Sequence, residues 1–187
     1  PNRRPWVPCV GAVVVPTMGR ALEFRPVRIR LDYGTTGLDV DLPPHGVTII
    51  EPRFAAPVPD PIEAVRAALR APLGCAPLRD IVRPGQTVAI SVCDGTRPQP
   101  RRELLSAIFA ELSSIPARDI LIIVATGTHR GNTPSELESM LGADLLKRHR
   151  VINHDARDAS TLAWAATTST GVQVLLNKDF LAADVRI

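Results

Sequence analysis

TVAISVCDGTRPQP (residues 87–100) and DILIIVATGTHRGN (residues 119–132) follow one grammar: an apolar run, a polar loop that carries glycine, and then a helix start. A run such as Thr87 to Cys93, apolar at nearly every position, reads as a strand buried on both faces, because a strand with one wet face would alternate. The helix after the first loop carries Leu104, Leu105, Ile108, Phe109 and Leu112 at helical spacing, and Thr133-Pro134-Ser135-Glu136 opens the second with capping-box residues. A third strand is expected at about Arg150 to Asn153. Strands alternating with helices at this spacing predict an α/β fold: an open, parallel, Rossmann-like sheet with helices on both faces.

The flanks add smaller elements. Val27 to Leu31, Gly37 to Leu42 and Gly46 to Glu51 read as short strands joined by turns, a small N-terminal β element. Asp60-Pro61-Ile62-Glu63 combines a capping carboxylate, a proline suited to the first turn and an acid three residues past the cap, so a helix is expected from there to about Arg70. Leu162 to Thr168 and Val172 to Leu176 flank Ser169-Thr170-Gly171 and predict a hairpin on the sheet edge, and residues 182–187 look like the entry to another strand. The expected organisation is a poorly ordered extension over residues 1–25 and one α/β domain over residues 26–187, with the functional polypeptide continuing past Ile187.

Composition bounds the function. Of 187 residues, 45% are hydrophobic and 22% charged, which suits a packed globular domain rather than a disordered chain. No apolar stretch approaches the roughly 18 to 20 residues of a membrane-spanning helix. The net charge of +3 is uneven: the first 30 residues hold six Arg and one acid, and the remainder sixteen bases against eighteen acids. The body of the protein is therefore slightly acidic, which argues against a nucleic-acid partner. Cys9, Cys75 and Cys93 are few, scattered and outside any C-x-x-C pattern, so neither a disulfide framework nor a zinc site is expected, and a reducing cytoplasm fits. The apolar part of residues 1–17 is too short, and broken too early by Pro16, to read as a secretion signal.

In an open parallel sheet ligands settle beyond the carboxyl ends of the strands, which directs attention to the two loops. Asp94 and Arg97 supply a carboxylate and a planar cationic fork able to grip an anion. Gly95 admits a close main-chain approach, and the following helix start offers N–H donors. Taken alone, the loop reads equally as a turn with Asp94 capping and Arg97 solvated or paired to Asp94. His129, at the end of the next strand, comes beside this pair if the strands are neighbours, and an imidazole suits proton transfer with a hydroxyl. His45 and His149 read as solvated, and His154 as a residue that reaches the same crevice from behind. No G-x-G-x-x-G after a strand, no G-x-x-x-x-G-K-[ST] and no G-x-S-x-G elbow occurs, so common dinucleotide, P-loop and hydrolase sites are unsupported. No clustered ligand set marks a metal site in this chain.

LDYGTTGLDVDLP, DPIEAVRAAL, CDGTRPQP, LIIVATGTHR, INHD and TTSTGVQVLLNKDFLAADVRI together resemble the N-terminal domain of the lactate racemase family, the nickel-pincer-nucleotide enzymes, over about Val27 to Ile187. The resemblance implies an isomerase that racemises or epimerises a small 2-hydroxy acid by removing a hydride from the α-carbon and returning it to the other face. It implies a nickel-pincer nucleotide as cofactor, contacted by Asp94, Gly95, Thr96 and Arg97, with His129 as one of two proton donors and acceptors. The second catalytic His, the Lys that tethers the pincer and the nickel-binding His belong, in that family, to a region past Ile187. The implied partner is therefore a C-terminal domain of the same polypeptide, and this stretch alone is expected neither to racemise lactate nor to retain the cofactor. The alternative is a non-catalytic nucleotide- or anion-binding module that keeps the loops without the chemistry.

Overall fold

The computed structural model describes residues 26–187, so the expected extension over residues 1–25 lies outside the described residues. The chain forms two compact units, one running to Pro57 and the other from Val58 to Ile187.

In the first unit β1 (Val27–Leu31) and β2 (Leu38–Leu42) form an antiparallel hairpin in which Val27 faces Leu42 and Leu31 faces Leu38. Charged residues pair across its exposed face, Arg28 with Asp41 at 2.7 Å and Arg30 with Asp39 at 3.1 Å. Gly37 closes the turn at φ 76, a conformation that favours glycine, and a Cβ there would fall 2.8 Å from Nε of the exposed Arg30 side chain, which would have to shift. The strand expected from Gly46 to Glu51 does not form. Pro43 and Pro44 follow β2 directly and bring no N–H, so the chain leaving the hairpin cannot turn straight back into a third ladder.

The second unit begins with α1 (Pro61–Arg70), whose N-cap Asp60 accepts from Glu63 N at 3.0 Å. A short α2 (Leu78–Ile81) leads into β3 (Val88–Cys93), α3 (Arg101–Glu111), β4 (Ile120–Ala125), α4 (Pro134–Leu141), α5 (Ala143–Arg148) and β5 (Arg150–Asn153). After the hairpin of β6 (Leu162–Thr167) and β7 (Gln173–Asn177) come α6 (Lys178–Ala182) and β8 (Val185–Arg186). The central sheet has the order β5-β4-β3-β8, and every pairing in it is parallel.

Period-two alternation sorts the strand residues between two layers. Val88, Ile90 and Val92 of β3 and Ile120, Ile122 and Val124 of β4 pack with Leu105, Ile108 and Leu112 around α3, where they form the main core. Ala89 and Ile123 turn to the other face, where Phe180 and Ala183 from the α6 region cover them. Helices thus lie on both faces, one side far more thickly clothed than the other. Glu111, its side chain only 4% exposed, joins α3 to α1 through Arg70 at 2.9 Å and Arg66 at 3.4 Å, which supplies the partners a buried carboxylate needs.

The hairpin expected on the sheet edge forms, but as a separate two-stranded sheet. The terminal segment takes the free edge of β3 instead: β8 pairs Val185 with Val88, and Ile187 carries the ladder on to Ser91 N at 2.7 Å. The register of β6 against β7 shifts between Trp164 and Ala166, a bulge that bends the ribbon.

Candidate active site at the ends of the parallel strands

Because β3 and β4 run parallel with Cys93 opposite Ala125, the loops that follow them leave the sheet at one level. Asp94 and Thr126 therefore start side by side, and both are buried, at 5% and 2% exposure.

Asp94 sits at the centre. Its Oδ1 accepts from Thr96 Oγ1 at 2.6 Å and from Thr96 N at 3.2 Å, while Oδ2 meets His129 Nδ1 at 2.6 Å. Those contacts, the Thr96 hydroxyl first and His129 next, draw its pKa down to about 2 from the usual 3.8. The carboxylate is ionised over the neutral range and acts as acceptor, so the proton on Nδ1 belongs to the ring and Nε2 is left for other chemistry. His129 is itself half exposed. Its main-chain N–H donates to Thr126 O at 3.0 Å, and the Thr126 hydroxyl in turn donates to the carbonyl of His154.

The first loop is braced from below by a residue that the sequence did not single out. Arg101 is 8% exposed and donates to Cys93 O at 2.7 Å, to Arg97 O at 2.8 Å and to Asp94 O. Gln99 closes the loop by accepting from Cys93 N at 2.9 Å. Arg97, by contrast, is exposed, and its guanidinium has no hydrogen-bond or ion-pair partner among the described residues. The pairing of Arg97 with Asp94 is not what the structure has: Asp94 accepts from Thr96 N and Oγ1, as a capping residue of the turn would, and meets His129, while Arg97 is exposed and is not among the residues that line the neighbouring cavity.

A cavity of about 570 Å³ opens on this arrangement, lined by Asp94, Gly95, Thr96 and His129 with Arg130 and Asn132 from the second loop. Arg130 is held by both Glu136 oxygens, at 2.7 and 2.8 Å, and Glu136 also receives Thr133 N in the capping box of α4. The guanidinium beside it keeps the Glu136 carboxyl at about 2, well below the usual range. A Cβ on Gly95 would lie 3.1 Å from Asn132 Oδ1, so glycine there lets the two loops close together.

His45 is an exposed residue of the first unit. His149, expected to be solvated, is stacked on Phe109 with ring centroids 4.4 Å apart, and burial pushes its pKa down. The charges of Lys147, Arg148 and Arg150 suggested water, but α3 presents an apolar ring to it. His154 lends its carbonyl to Thr126, while its ring lines a separate cavity of about 180 Å³ with Ser91, Ile123, Ala125 and Phe180. No group of three or more metal-binding side chains occurs among the described residues, and none of their helices is long and apolar enough to cross a membrane.

Comparison with known proteins agrees with this architecture. Lactate racemase from Thermoanaerobacterium thermosaccharolyticum is 28% identical over 163 residues, covering 85% of this chain and 38% of that protein. Lactate racemase from Lactiplantibacillus plantarum is 30% identical over 126 residues, covering 67% of this chain and 30% of that protein. The chain thus spans well under half the length of these curated relatives. The solved lactate racemase apoprotein from T. thermosaccharolyticum superposes with a TM-score of 0.64 at 26% identity, over 86% of this chain and 38% of that one. A Thermotoga maritima protein, 19% identical with a TM-score of 0.54 over 70% of this chain and 34% of its own, shares the fold. The lactate racemase N-terminal domain profile matches residues 33–187, a span that contains β3, β4 and both loops, and on that match the chain belongs to the lactate racemase N-terminal domain family.

Proposed function

We propose that this chain is the N-terminal, cofactor-binding part of an isomerase that racemises or epimerises a small 2-hydroxy acid of the lactate type, with His129 as one proton donor and acceptor. The observation that carries the reading is the 2.6 Å contact between His129 Nδ1 and Asp94 Oδ2, two residues that line the 570 Å³ cavity. An ionised carboxylate on Nδ1 orients the ring and fixes its tautomer, the same positioning that a general base receives in a hydrolytic triad. Nε2 is then the atom that takes the proton of the substrate hydroxyl and gives it back.

The residues present fit a nickel-pincer nucleotide. The cavity falls within the roughly 300 to 1,000 Å³ of ordinary ligand sites, Arg97 has no hydrogen-bond or ion-pair partner among the described residues, and Gly95 carries no side chain. Asp94, Gly95, Thr96 and Arg97 would hold the group, with the Arg97 fork on its anionic part. Bound there, the cofactor supplies a hydride acceptor for the α-carbon. This chain's own part is to fix that group against the loop and to move the hydroxyl proton through His129. The rest of the site comes, on this reading, from a C-terminal domain of the same polypeptide, and the unpaired thiols of Cys75 and Cys93 suit work in the reducing cytoplasm.

The test is interconversion of D- and L-lactate and related 2-hydroxy acids by the full-length, cofactor-loaded protein. His129→Ala should cost about 100-fold or more in kcat. Unchanged turnover removes His129 from the chemistry. Nucleotide binding without turnover on any 2-hydroxy acid favours the binding-module alternative, for which the unpartnered Arg97 is the supporting feature.

A further inference from the structure

Three residues along the second loop from His129, a second tie joins the two loops. Asn132 Oδ1 accepts from Gly95 N at 3.3 Å, so the residue after Asp94 is bound to the second loop just as Asp94 itself is bound through His129. The two contacts are rungs of one short ladder, Asp94 with His129 and Gly95 with Asn132. The second rung has a support of its own. Asn153, the last residue of β5, uses its side-chain amide as a substitute for a neighbouring strand: its Oδ1 accepts from Asn132 N at 2.9 Å and its Nδ2 donates to Asn132 O at 3.0 Å. Asn132 Nδ2 also donates to Asn153 Oδ1, at 3.2 Å.

The spacing around this bracket is tight. A Cβ on Gly131 would lie 3.3 Å from Asn153 Nδ2, and one on Gly95 would lie 3.1 Å from Asn132 Oδ1. Both positions are glycine, so the two amides sit directly against main chain. Asn132 and Asn153 are half-buried, where an amide whose partner is lost has little water to turn to. Asn153 is fixed in turn by the pairing of β5 with β4, in which it faces Val124. An unbroken path of hydrogen bonds therefore runs from the central sheet through Asn153 and Asn132 to the main chain beside Asp94.

We propose that Asn132 and Asn153 are positioning residues that clamp the second loop onto the first and so keep the His129 ring seated on the Asp94 carboxylate. Neither touches the reacting atoms; they act through the distance between two loops that the sheet fixes only at their roots. A half-exposed histidine on a loop of its own has several rotamers and loop positions open to it, and a displacement of about 1 Å at such a group costs on the order of 100-fold in rate. The inference rests on the reading of His129 as an acid/base residue for its effect on turnover, but the seating of the ring can be read without any turnover.

Two measurements therefore separate the two ideas. The first is the proton resonance of His129 Nδ1–H, which a hydrogen bond to a carboxylate moves far downfield, followed in the cofactor-free protein. It should be present in the natural protein, be broadened away by exchange in Asn132→Ala, and survive in weakened form in Asn132→Asp, which keeps an acceptor for Gly95 N but loses the donor to Asn153 Oδ1. The second is racemisation by the full-length, cofactor-loaded protein. Asn132→Ala should lower kcat about 10- to 100-fold with KM within about twofold, and Asn132→Asp should recover only part of the loss. Asn153→Ser leaves both loop side chains in place and should reproduce a weaker form of the Asn132→Ala result, which covers the case in which that variant fails to fold. A resonance and a kcat unchanged in Asn132→Ala and Asn153→Ser would overturn the proposal. Loss of the resonance in a protein whose natural form racemises nothing would sustain the clamp and overturn the proposed function.

Discussion

His129 Nδ1 stands 2.6 Å from Asp94 Oδ2, although 35 positions separate the two residues and each leaves a different strand. The contact exists because β3 and β4 are adjacent, parallel and in register at their last residues, Cys93 and Ala125. It turns two unremarkable loop residues into a unit: a buried acceptor and a half-exposed ring whose far nitrogen is available.

Acid should dissolve this unit in a defined window. The folded pKa of Asp94, about 2, lies below its ordinary 3.8, so the stabilisation is complete above about pH 4 and is lost as pH falls toward 2. Unfolding by denaturant followed from pH 6 to pH 2 should show this acid limb in the natural protein and a shallower one in Asp94→Asn. In turnover, Asp94→Asn should cost about 100- to 10,000-fold, because an amide donor facing Nδ1 favours the wrong tautomer.

The two arginines of the first loop should separate function from folding. Arg97→Ala removes an exposed side chain with no partner among the described residues, so its stability should stay within about 0.5 kcal/mol while cofactor binding and turnover in the full-length protein fall. Arg101→Ala strips donors from Cys93 O, Asp94 O and Arg97 O and should cost about 2–4 kcal/mol in denaturant unfolding. Equal effects on stability would show that Arg97 has a structural role too.

Gly95→Ala tests the closeness of the loops. The added methyl would meet Asn132 Oδ1 at 3.1 Å and Met140 Sδ at 3.5 Å, and since the backbone at Gly95 does not require glycine, the cost lies in contact alone. Thermal stability should change little, by about 1 kcal/mol or less, whereas kcat should fall about tenfold. A fall in stability with kcat preserved would contradict this.

The core has its own marker. Ile122 is fully buried between α3 and the neighbouring strands, so Ile122→Ala should lose about 2–5 kcal/mol in denaturant unfolding, against almost nothing for the exposed Trp164→Ala.

Much of this was legible in the sequence for physical reasons. Apolar runs such as DILIIVA cannot be anything but buried, and DPIE carries its own start signal, so β3, β4 and α1 stand where local chemistry puts them. The neighbourhood of Asp94 and His129 followed from the strand-end rule once the strands were adjacent. What was not legible depends on partners distant in the chain. The segment from Gly46 to Glu51 has strand-like residues but no ladder to join. His149 lies among charges in sequence and against Phe109 in space. The β6–β7 hairpin was placed on the sheet edge because nothing local reveals that β8 claims the free side of β3. α6 is only five residues long and is announced by little more than Asn177, whose side chain accepts from Asp179 N and Phe180 N. Asn132 and Asn153, 21 positions apart, likewise give no periodic signal of the bracket they form.

The in-register ending of β3 and β4 has a consequence for how this protein can vary. Side chains on a strand alternate between two sides, so inserting or deleting a single residue within Ile120–Ala125 would exchange the thick layer around Ile122 with the thin one around Ile123 and carry the histidine to the wrong side of the sheet. Replacement of individual loop residues leaves that phase untouched. The protein is therefore tolerant of exchanges at its rim and intolerant of any change in the number of residues that lead up to it.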